Sequence, residues 1–302
     1  MAIATHKVPV LDPPPRLDRY LATELQWFVS RAAARKALKR GEVLLDGATV
    51  ESSRLLREGM ELELLAPTRR PPKVFERGLE VLFENDHLAA VIKPAGLATN
   101  GNRYRTLEHA LPANLVPSTA PDVLPWPRPV HRLDVRTGGI VLCAKTASAH
   151  VHLGRQFEER RITKRYLAIV VGQLEGEGFV DLPIEGRAST SRYRALPPVR
   201  ALKTDWVTPV DLWPETGRTH QLRIHMAHLG HPVLGDDLHG TGHPILRGKG
   251  LYLWAVSIAF QHPDTGEALT LETTPPTRFR SFLAREARRW EKHYGPSSSP
   301  EP

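Results

Sequence analysis

Three observations predict an α+β chain, with a mixed, largely antiparallel central sheet flanked by helices and a small helix-helix-β module ahead of it. Short β-branched runs such as Ile140-Val141-Leu142-Cys143-Ala144 mix with helical stretches, without the regular strand-helix-strand alternation of a doubly wound sheet. A stiff basic segment holding Pro67, Arg69, Arg70, Pro71 and Pro72 separates the beginning of the chain from the rest. The length, 302 residues, suits one large domain and one small one. The expected division is a flexible arm at 1–15, the small module at 16–65, a linker at 66–78, the main domain at 79–293 and a disordered tail at 294–302.

In the small module, Leu17, Tyr20, Leu21 and Leu25 follow helical spacing, and Ser30 caps a second helix that Gly41 ends. Ala34, Ala37 and Leu38 form that helix's apolar face. Arg31, Arg35, Lys36, Lys39 and Arg40 cover much of the remainder, with no interleaved acid. Residues 43–50 read as a hairpin turning at Asp46-Gly47, and 61–65 as a further strand.

In the main domain, 79–84 and 88–92 are expected strands, and 106–111 a short helix. Residues 112–129 hold six prolines and read as a loop or insertion. A helix over 146–161 turns Val151, Leu153 and Phe157 inward, and Tyr166 opens a strand to Val171. Residues 205–212 form another strand. Thr219 caps a helix running to Leu229, stopped by Gly230 and Pro232. Tyr252, Trp254, Val256, Ile258 and Phe260 alternate, the mark of a strand with one buried face. A strand over 268–271 and a final helix from 278 to about 290 complete the domain.

Composition narrows the class. Lys plus Arg is 41 against 33 acids, a net charge of +8, which favours a polyanionic partner such as nucleic acid. The single cysteine, Cys143, lies in an apolar run and reads as a small buried hydrophobe; it builds no disulfide framework or cysteine zinc site. No window reaches the ~18 apolar residues of a membrane span. The N-terminus lacks a signal-peptide core. A soluble, cytoplasmic monomer is therefore the expectation.

The stretch HRLDVRTGGIVLCAK, His131 to Lys145, places Asp134 in a turn that feeds straight into a buried strand. By itself this is an ordinary Arg-Asp turn. It is joined by Lys93-Pro94-Ala95-Gly96-Leu97 upstream, by Lys164-Arg165-Tyr166, by the run from Gly217-Arg218-Thr219-His220-Gln221-Leu222-Arg223 to His225, and by Gly230-His231-Pro232-Val233-Leu234-Gly235-Asp236. In this order the set resembles the RluA-type pseudouridine synthases, over about 79–282. The small module, with its RLDRYL start, Ser30-Arg31 before the basic helix and Asp-Gly hairpin, resembles the S4 RNA-binding domain.

The resemblance implies conversion of uridine to pseudouridine in structured RNA. The C1′–N1 bond breaks, the base turns and C5 bonds to C1′, with no redox step and so no demanded cofactor. Asp134 matches the family's catalytic carboxylate. Such a group suits cation-like charge at C1′. Whether it bonds covalently or removes a sugar proton stays open. Tyr166 matches the family's tyrosine, fit to stack the base and to take the C5 proton. Arg223 is the expected cation beside Asp134, with Arg218 as the fallback. His131, Arg132 and Arg218 are expected substrate contacts; Arg132 would fill the gap left by a flipped uridine, hold a phosphate, or form a salt bridge at the core edge. Arg31, Arg35, Lys36, Lys39 and Arg40 are the expected RNA-binding face. Ribosomal RNA is the favoured partner, and transfer RNA is open. Three departures from the family pattern stand out: Thr99-Asn100-Gly101 in place of a His-Pro, Gly138 in place of a Ser, and His239 in place of a Tyr.

Two other readings compete. His225, His228 and His231, with His220, Asp236 and Asp237 nearby, suggest a metal-dependent RNA hydrolase, against which stands the absence of an acid-bearing metal signature; the expected metal set is none. A non-catalytic RNA-binding protein on the same fold would not need Asp134, Tyr166 and Arg223 together.

Overall fold

The computed structural model describes residues 2–65, 73–101, 103–240, 242, 248 and 250–295. The N-terminal unit is β1 (Ala2–Lys7), α1 (Leu17–Thr23), α2 (Arg31–Lys39), β2 (Val43–Leu45), β3 (Ala48–Thr49) and β4 (Glu61–Leu65). Ser30 caps α2 as expected, its Oγ accepting from the Ala33 N–H at 3.2 Å. Leu17, Leu21, Ala34, Ala37, Val43 and Leu62 are fully buried between the two helices and a sheet of order β1-β4-β2-β3. Asp46 and Gly47 both adopt positive φ, 49° and 77°, the hairpin turn that this dipeptide favours.

The expected flexible arm is a correction: its first residues form β1, antiparallel to β4. The strand is mostly solvent-facing, so it carries no apolar alternation to read, and backbone bonds hold it. Val8, 2% exposed, anchors its end, donating to Met60 O and accepting from the Gly59 N–H, both at 2.9 Å.

The second sheet uses β5 (Glu80–Glu84), β6 (Leu88–Lys93), β7 (Val123–Pro129), β8 (Gly138–Thr146), β9 (Thr163–Val171), β10 (Glu177–Asp181), β11 (Thr190–Ala195), β12 (Val199–Ala201), β13 (Asp205–Pro214), β14 (Leu253–Gln261) and β15 (Ala268–Glu272). Its order is β10-β11-β13-β9-β14-β8-β6-β5, with β12 on β13, β15 on β14 and β7 on β8. Among the described pairings only β14 with β8 is parallel, so the mixed, largely antiparallel α+β class holds. The helices are α3 (Leu107–Ala110), α4 (Ala147–Glu158), α5 (Gln221–His228) and α6 (Arg278–Tyr294).

Every residue of β8 is buried. Val141 and Cys143 join one apolar layer, with Leu97, Leu133 and Leu222; Ile140 and Leu142 join the other, with Phe279 and Phe282. Burial pushes the Cys143 thiol up, as befits a core hydrophobe.

Several expectations shift. The proline-rich loop ends in β7, whose pairing with β8 is irregular between Val123 and Arg128, where Pro125 and Pro127 lack the N–H a regular ladder needs. β10 and β11 are short and largely polar, and β12 has only three residues, so sequence period did not mark them. β14 is buried on both faces over Leu253–Val256, because Leu253 and Ala255 enter one apolar layer and Trp254 and Val256 the other. His220, not Thr219, stands at the start of α5. α4 buries Ala149, Leu153 and Gln156, with Val151 and Phe157 only half-buried. α6 runs on to Tyr294, taking the first residue of the expected tail. Residues 66–72 of the linker and 296–302 of the tail lie outside the described residues.

β8 meets β14 through two glycines. Gly139 has φ +119°, and a Cβ there would lie 2.2 Å from Ala255 O. A Cβ on Gly138 would lie 2.1 Å from Cζ3 of Trp254. The indole therefore occupies the space where the family pattern has a serine. Gly138→Ser is expected to destabilise the protein by ~1–3 kcal/mol through overpacking. Trp254→Leu in the same chain should recover part of that loss. Equilibrium denaturation of both single variants and the double variant measures the coupling; additive effects would show that the indole is not the obstacle.

Candidate active site

Asp134 lies in the turn between β7 and β8, its side chain 20% exposed. Both neighbours are clamped to the segment after β6. The Leu133 N–H donates to Thr99 Oγ1 at 3.1 Å, and that hydroxyl donates back to Leu133 O at 3.0 Å. Val135 O accepts from the Gly96 N–H at 2.7 Å and from Lys93 Nζ at 3.4 Å. Lys93 is wholly buried, and its ammonium also donates to Leu97 O at 2.7 Å and Pro94 O at 3.2 Å. Burial pulls its pKa down to about 8, with the Asp134 charge acting against that fall. The Lys-Pro-Ala-Gly motif thus sets the backbone on which Asp134 stands, and Thr99, which had no expected role, closes the clamp.

Arg223 projects from α5 and is 3% exposed. Its Nε and one terminal nitrogen donate to the two oxygens of Asp236, each at 2.7 Å. The other terminal nitrogen lies 3.7 Å from Asp134 Oδ2. The expected Arg223–Asp134 approach is therefore present, but the bidentate partner is Asp236. Asp236 Oδ1 also accepts from the N–H groups of Leu238 and His239, at 3.1 and 3.2 Å. Burial by itself would raise Asp236; the Arg223 bonds and charge, with those N–H groups, hold it below its ordinary value. Arg223 is raised despite burial by the same partner.

Tyr166, on β9, is 8% exposed and lines the cleft. Burial first, then the Asp134 charge, push its hydroxyl above the ordinary phenol value, so near neutral pH it is a phenol and not a ready base. His220 Nε2 lies 3.9 Å from Asp134 Oδ2, and its Nδ1 lies 3.0 Å from His239 Nε2. Gln221 anchors the loop before α5: its Oε1 accepts from Thr216 Oγ1 at 2.6 Å and the Arg218 N–H at 3.0 Å. The cleft over these groups has a volume of about 540 Å³, within the ~300–1,000 Å³ of small-ligand sites.

The other expected contacts divide. Arg132 is exposed on the cleft wall and makes no ion pair among the described residues, so the core-edge salt bridge is not formed. Arg218 lines the cleft but reaches toward Ala188 O at 3.5 Å, not toward Asp134. His131 braces the core edge: its Nε2 accepts from the Leu142 N–H at 3.0 Å, and its ring lies 4.8 Å from that of Phe157.

On α2, Arg31 and Arg35 approach Asp18 at 3.3 and 2.6 Å, and Arg40 pairs with Glu42. Lys36 and Lys39 are exposed and without an ion pair among the described residues. The five cations therefore do not form one free face.

The histidines of the competing metal reading do not converge. His225 Nε2 lies 3.1 Å from Leu182 O, while His231, beyond Gly230, turns its Nδ1 to Val171 O at 3.0 Å. Among the described residues no three His, Cys, Asp or Glu side chains are placed to hold a metal ion. No described helix is long and apolar enough to cross a membrane.

His131 gives a pH prediction. Burial, then the Lys164 charge, hold its pKa down to about 3, against 6.5 for a free imidazole. As pH falls below 6.5 the unfolded chain takes up a proton that the native ring refuses, so stability is lost toward pH 3. Denaturation midpoints between neutral pH and the onset of acid unfolding should fall more steeply for the wild type than for His131→Gln, which keeps an acceptor but does not titrate. The difference in slope is at most ~1.4 kcal/mol per pH unit. Parallel curves would remove His131 from the acid sensitivity.

Comparison with known proteins places this arrangement. Residues 87–228 match the RNA pseudouridylate synthase family. A protein of Aquifex aeolicus described as an uncharacterized RNA pseudouridine synthase is 32% identical, covering 93% of this chain and 95% of its own. Ribosomal large subunit pseudouridine synthase D of Nitrosomonas europaea is 32% identical over 89% of this chain and 83% of its own. The solved structure of human RNA Pseudouridylate Synthase Domain Containing 1 is 28% identical, with a TM-score of 0.55, over 66% of this chain and 84% of that one. Extended identity across nearly the whole length, on a fold shared with a solved member, leaves one conclusion: the chain belongs to the RNA pseudouridine synthase family.

Proposed function

We propose that this protein isomerises specific uridines in structured RNA, with large-subunit ribosomal RNA as the favoured substrate, and that Asp134 is the essential carboxylate. The observation that carries this reading is a partly exposed anion on the wall of a cation-lined cleft, 3.7 Å from a buried guanidinium. Breaking C1′–N1 develops positive charge at C1′, and a fixed carboxylate stabilises it. Its position owes little to its own side-chain bonds, because Thr99, Gly96 and Lys93 hold the backbone on either side. Arg223 is locked by Asp236 and so presents its remaining nitrogen at a fixed place. Tyr166 supplies a rigid ring edge on the cleft wall for the turned base, and Arg132, without an ion pair among the described residues, suits a phosphate or the gap a flipped nucleotide leaves. The favoured RNA follows from the relatives' names, large-subunit synthases among them; transfer RNA is the second candidate, as the sequence resemblance left it.

The N-terminal unit is proposed as an S4-like RNA-binding domain. The structure narrows its test to Lys36 and Lys39, since reversing Arg35 would set an acid against the buried Asp18. Lys36→Glu with Lys39→Glu should weaken binding to a large-subunit ribosomal RNA fragment and flatten its salt dependence, because fewer counterions are released. Unchanged affinity and slope would leave α2 a merely solvated face.

Asp134→Asn keeps shape and removes charge. Single-turnover pseudouridine formation should fall by at least ~10³, a barrier increase of about 4 kcal/mol. RNA affinity should stay close to that of the wild type, since it rests on the cationic surface. A folded variant with near-wild-type turnover ends this assignment of Asp134; a loss that tracks a lower melting temperature makes the residue structural.

A further inference from the structure

We propose that His220 is the base that removes the C5 proton from the rearranged uracil, and that His239 positions it. This rests on the pseudouridine-forming reading above. Once C5 has bonded to C1′, that carbon holds both the ribose and its original hydrogen. The C5–H bond must break, its electron pair entering the ring to form C5=C6 as the C6=N1 bond reverts to single, and N1 must gain a proton. One imidazole nitrogen can accept the first proton and return it to N1, so the protein is regenerated and nothing is oxidised or reduced.

The geometry supplies that nitrogen. His220 Nε2 faces the cleft beside Asp134, at 3.9 Å, while Nδ1 lies 3.0 Å from His239 Nε2. With Nδ1–H donating to His239, the lone pair of Nε2 is left open toward the cleft. A proton gained there makes an imidazolium that is flanked by the Asp134 anion and hydrogen-bonded to the second ring. The local backbone points the same way. His220 occupies the N-cap of α5 without making a side-chain cap bond, and its φ of 56° lies in the left-handed region that a non-glycine residue resists. The residue is held in a costly conformation: its carbonyl accepts the first helical bond, from the Ile224 N–H at 2.9 Å, while its ring lines the cleft.

The competing groups are otherwise engaged. Tyr166 stays a phenol, because burial and the nearby Asp134 charge oppose its ionisation. Asp134 is assigned to the sugar carbon. Facing the pair from the surrounding elements are Asp134 on the β7–β8 turn, Arg223 on α5, Asp236 bound to Arg223, and Asp237 paired with Arg136. Burial, opposed by Asp236, lowers the His239 pKa, which keeps that ring a neutral acceptor.

The test uses large-subunit ribosomal RNA transcribed with uridine carrying hydrogen or deuterium at C5, and single-turnover rates for the full chain. Wild type should show little difference between the two RNAs. His220→Gln should slow product formation at least ~100-fold, the span of general-base catalysis, and should then be slower still on the deuterated RNA. His239→Phe, which keeps a ring but no acceptor, should show the same isotope dependence with a smaller loss, and His239→Gln should restore the rate. Unchanged melting temperatures separate these effects from misfolding, and the His239 pair supplies the answer if the His220 variant does not fold. A His220→Gln rate near wild type, a loss without isotope dependence, or equal behaviour of the two His239 variants overturns the proposal. Absence of pseudouridine with the wild-type protein overturns the parent reading, and this one with it, before any variant is compared.

Discussion

The buried pair of Arg223 and Asp236 is the interaction on which the cleft depends. Taking two charges out of water is costly, and only complete pairing offsets it. Here both carboxylate oxygens receive guanidinium hydrogens at 2.7 Å, and the N–H groups of Leu238 and His239 fill further lone pairs. Losing one partner of such a pair costs on the order of 3–5 kcal/mol. The pair ties α5 to the turn after Leu234, and that turn carries His239. It also occupies two of the three guanidinium nitrogens, so that the third is left facing Asp134. A lysine could not divide itself in this way, because its ammonium lacks the planar fork.

Much of the fold was legible because period and turn chemistry agree with tertiary structure where burial is one-sided. The Ser30 cap, the Asp46-Gly47 turn and the apolar run of β8 all fell where the sequence placed them. The missed strands share one physical origin. β1 is held by backbone bonds on an exposed edge, and its side chains carry no pattern. β10 is the far edge of the sheet, with β11 between it and β13, and both alternate weakly. β7 is studded with prolines that argue against a strand, and it survives because its pairing with β8 is broken where Pro125 and Pro127 fall. Edge strands depend on what their neighbour offers, which a single sequence does not display.

The site was legible as a list of residues and not as a set of partners. Asp134, Tyr166 and Arg223 do converge on one cleft. Spacing could not show that Arg223 would take Asp236 as its main partner, thirteen residues on and across a turn. Nor could it show that Thr99 would bracket Leu133, since the bond joins segments 34 residues apart. A faint signal did exist: an uncharged, short hydroxyl residue stood where the family has a His-Pro. His131 illustrates the converse. It opens the most recognisable motif, yet its acceptor nitrogen is given to a backbone N–H of β8. Motif membership therefore marks a residue as constrained; only its partners say whether the constraint is chemical or architectural.

The basic helix of the N-terminal unit shows the same distinction in its charges. Asp18 is wholly buried, yet it gathers Arg16, Arg31 and Arg35, whose side chains stay 45%, 49% and 52% exposed. Burial would raise the Asp18 carboxyl, but the Arg35 and Arg16 bonds and the Arg31 charge hold it below its ordinary value, so it remains an anion. That anion subtracts from the positive field of the surface. In exchange it fixes three flexible side chains around one point, with each guanidinium still turned partly to solvent. An ordered array loses less side-chain freedom on meeting phosphate than a free one, by roughly 0.5–1.5 kcal/mol for each immobilised chain. Lys36 and Lys39 are the opposite kind of group: exposed, without an ion pair among the described residues, and contributing charge without a fixed partner. Under the proposed RNA-binding role of α2, the arginines would set where a phosphate backbone lies and the lysines would add mainly to the salt dependence.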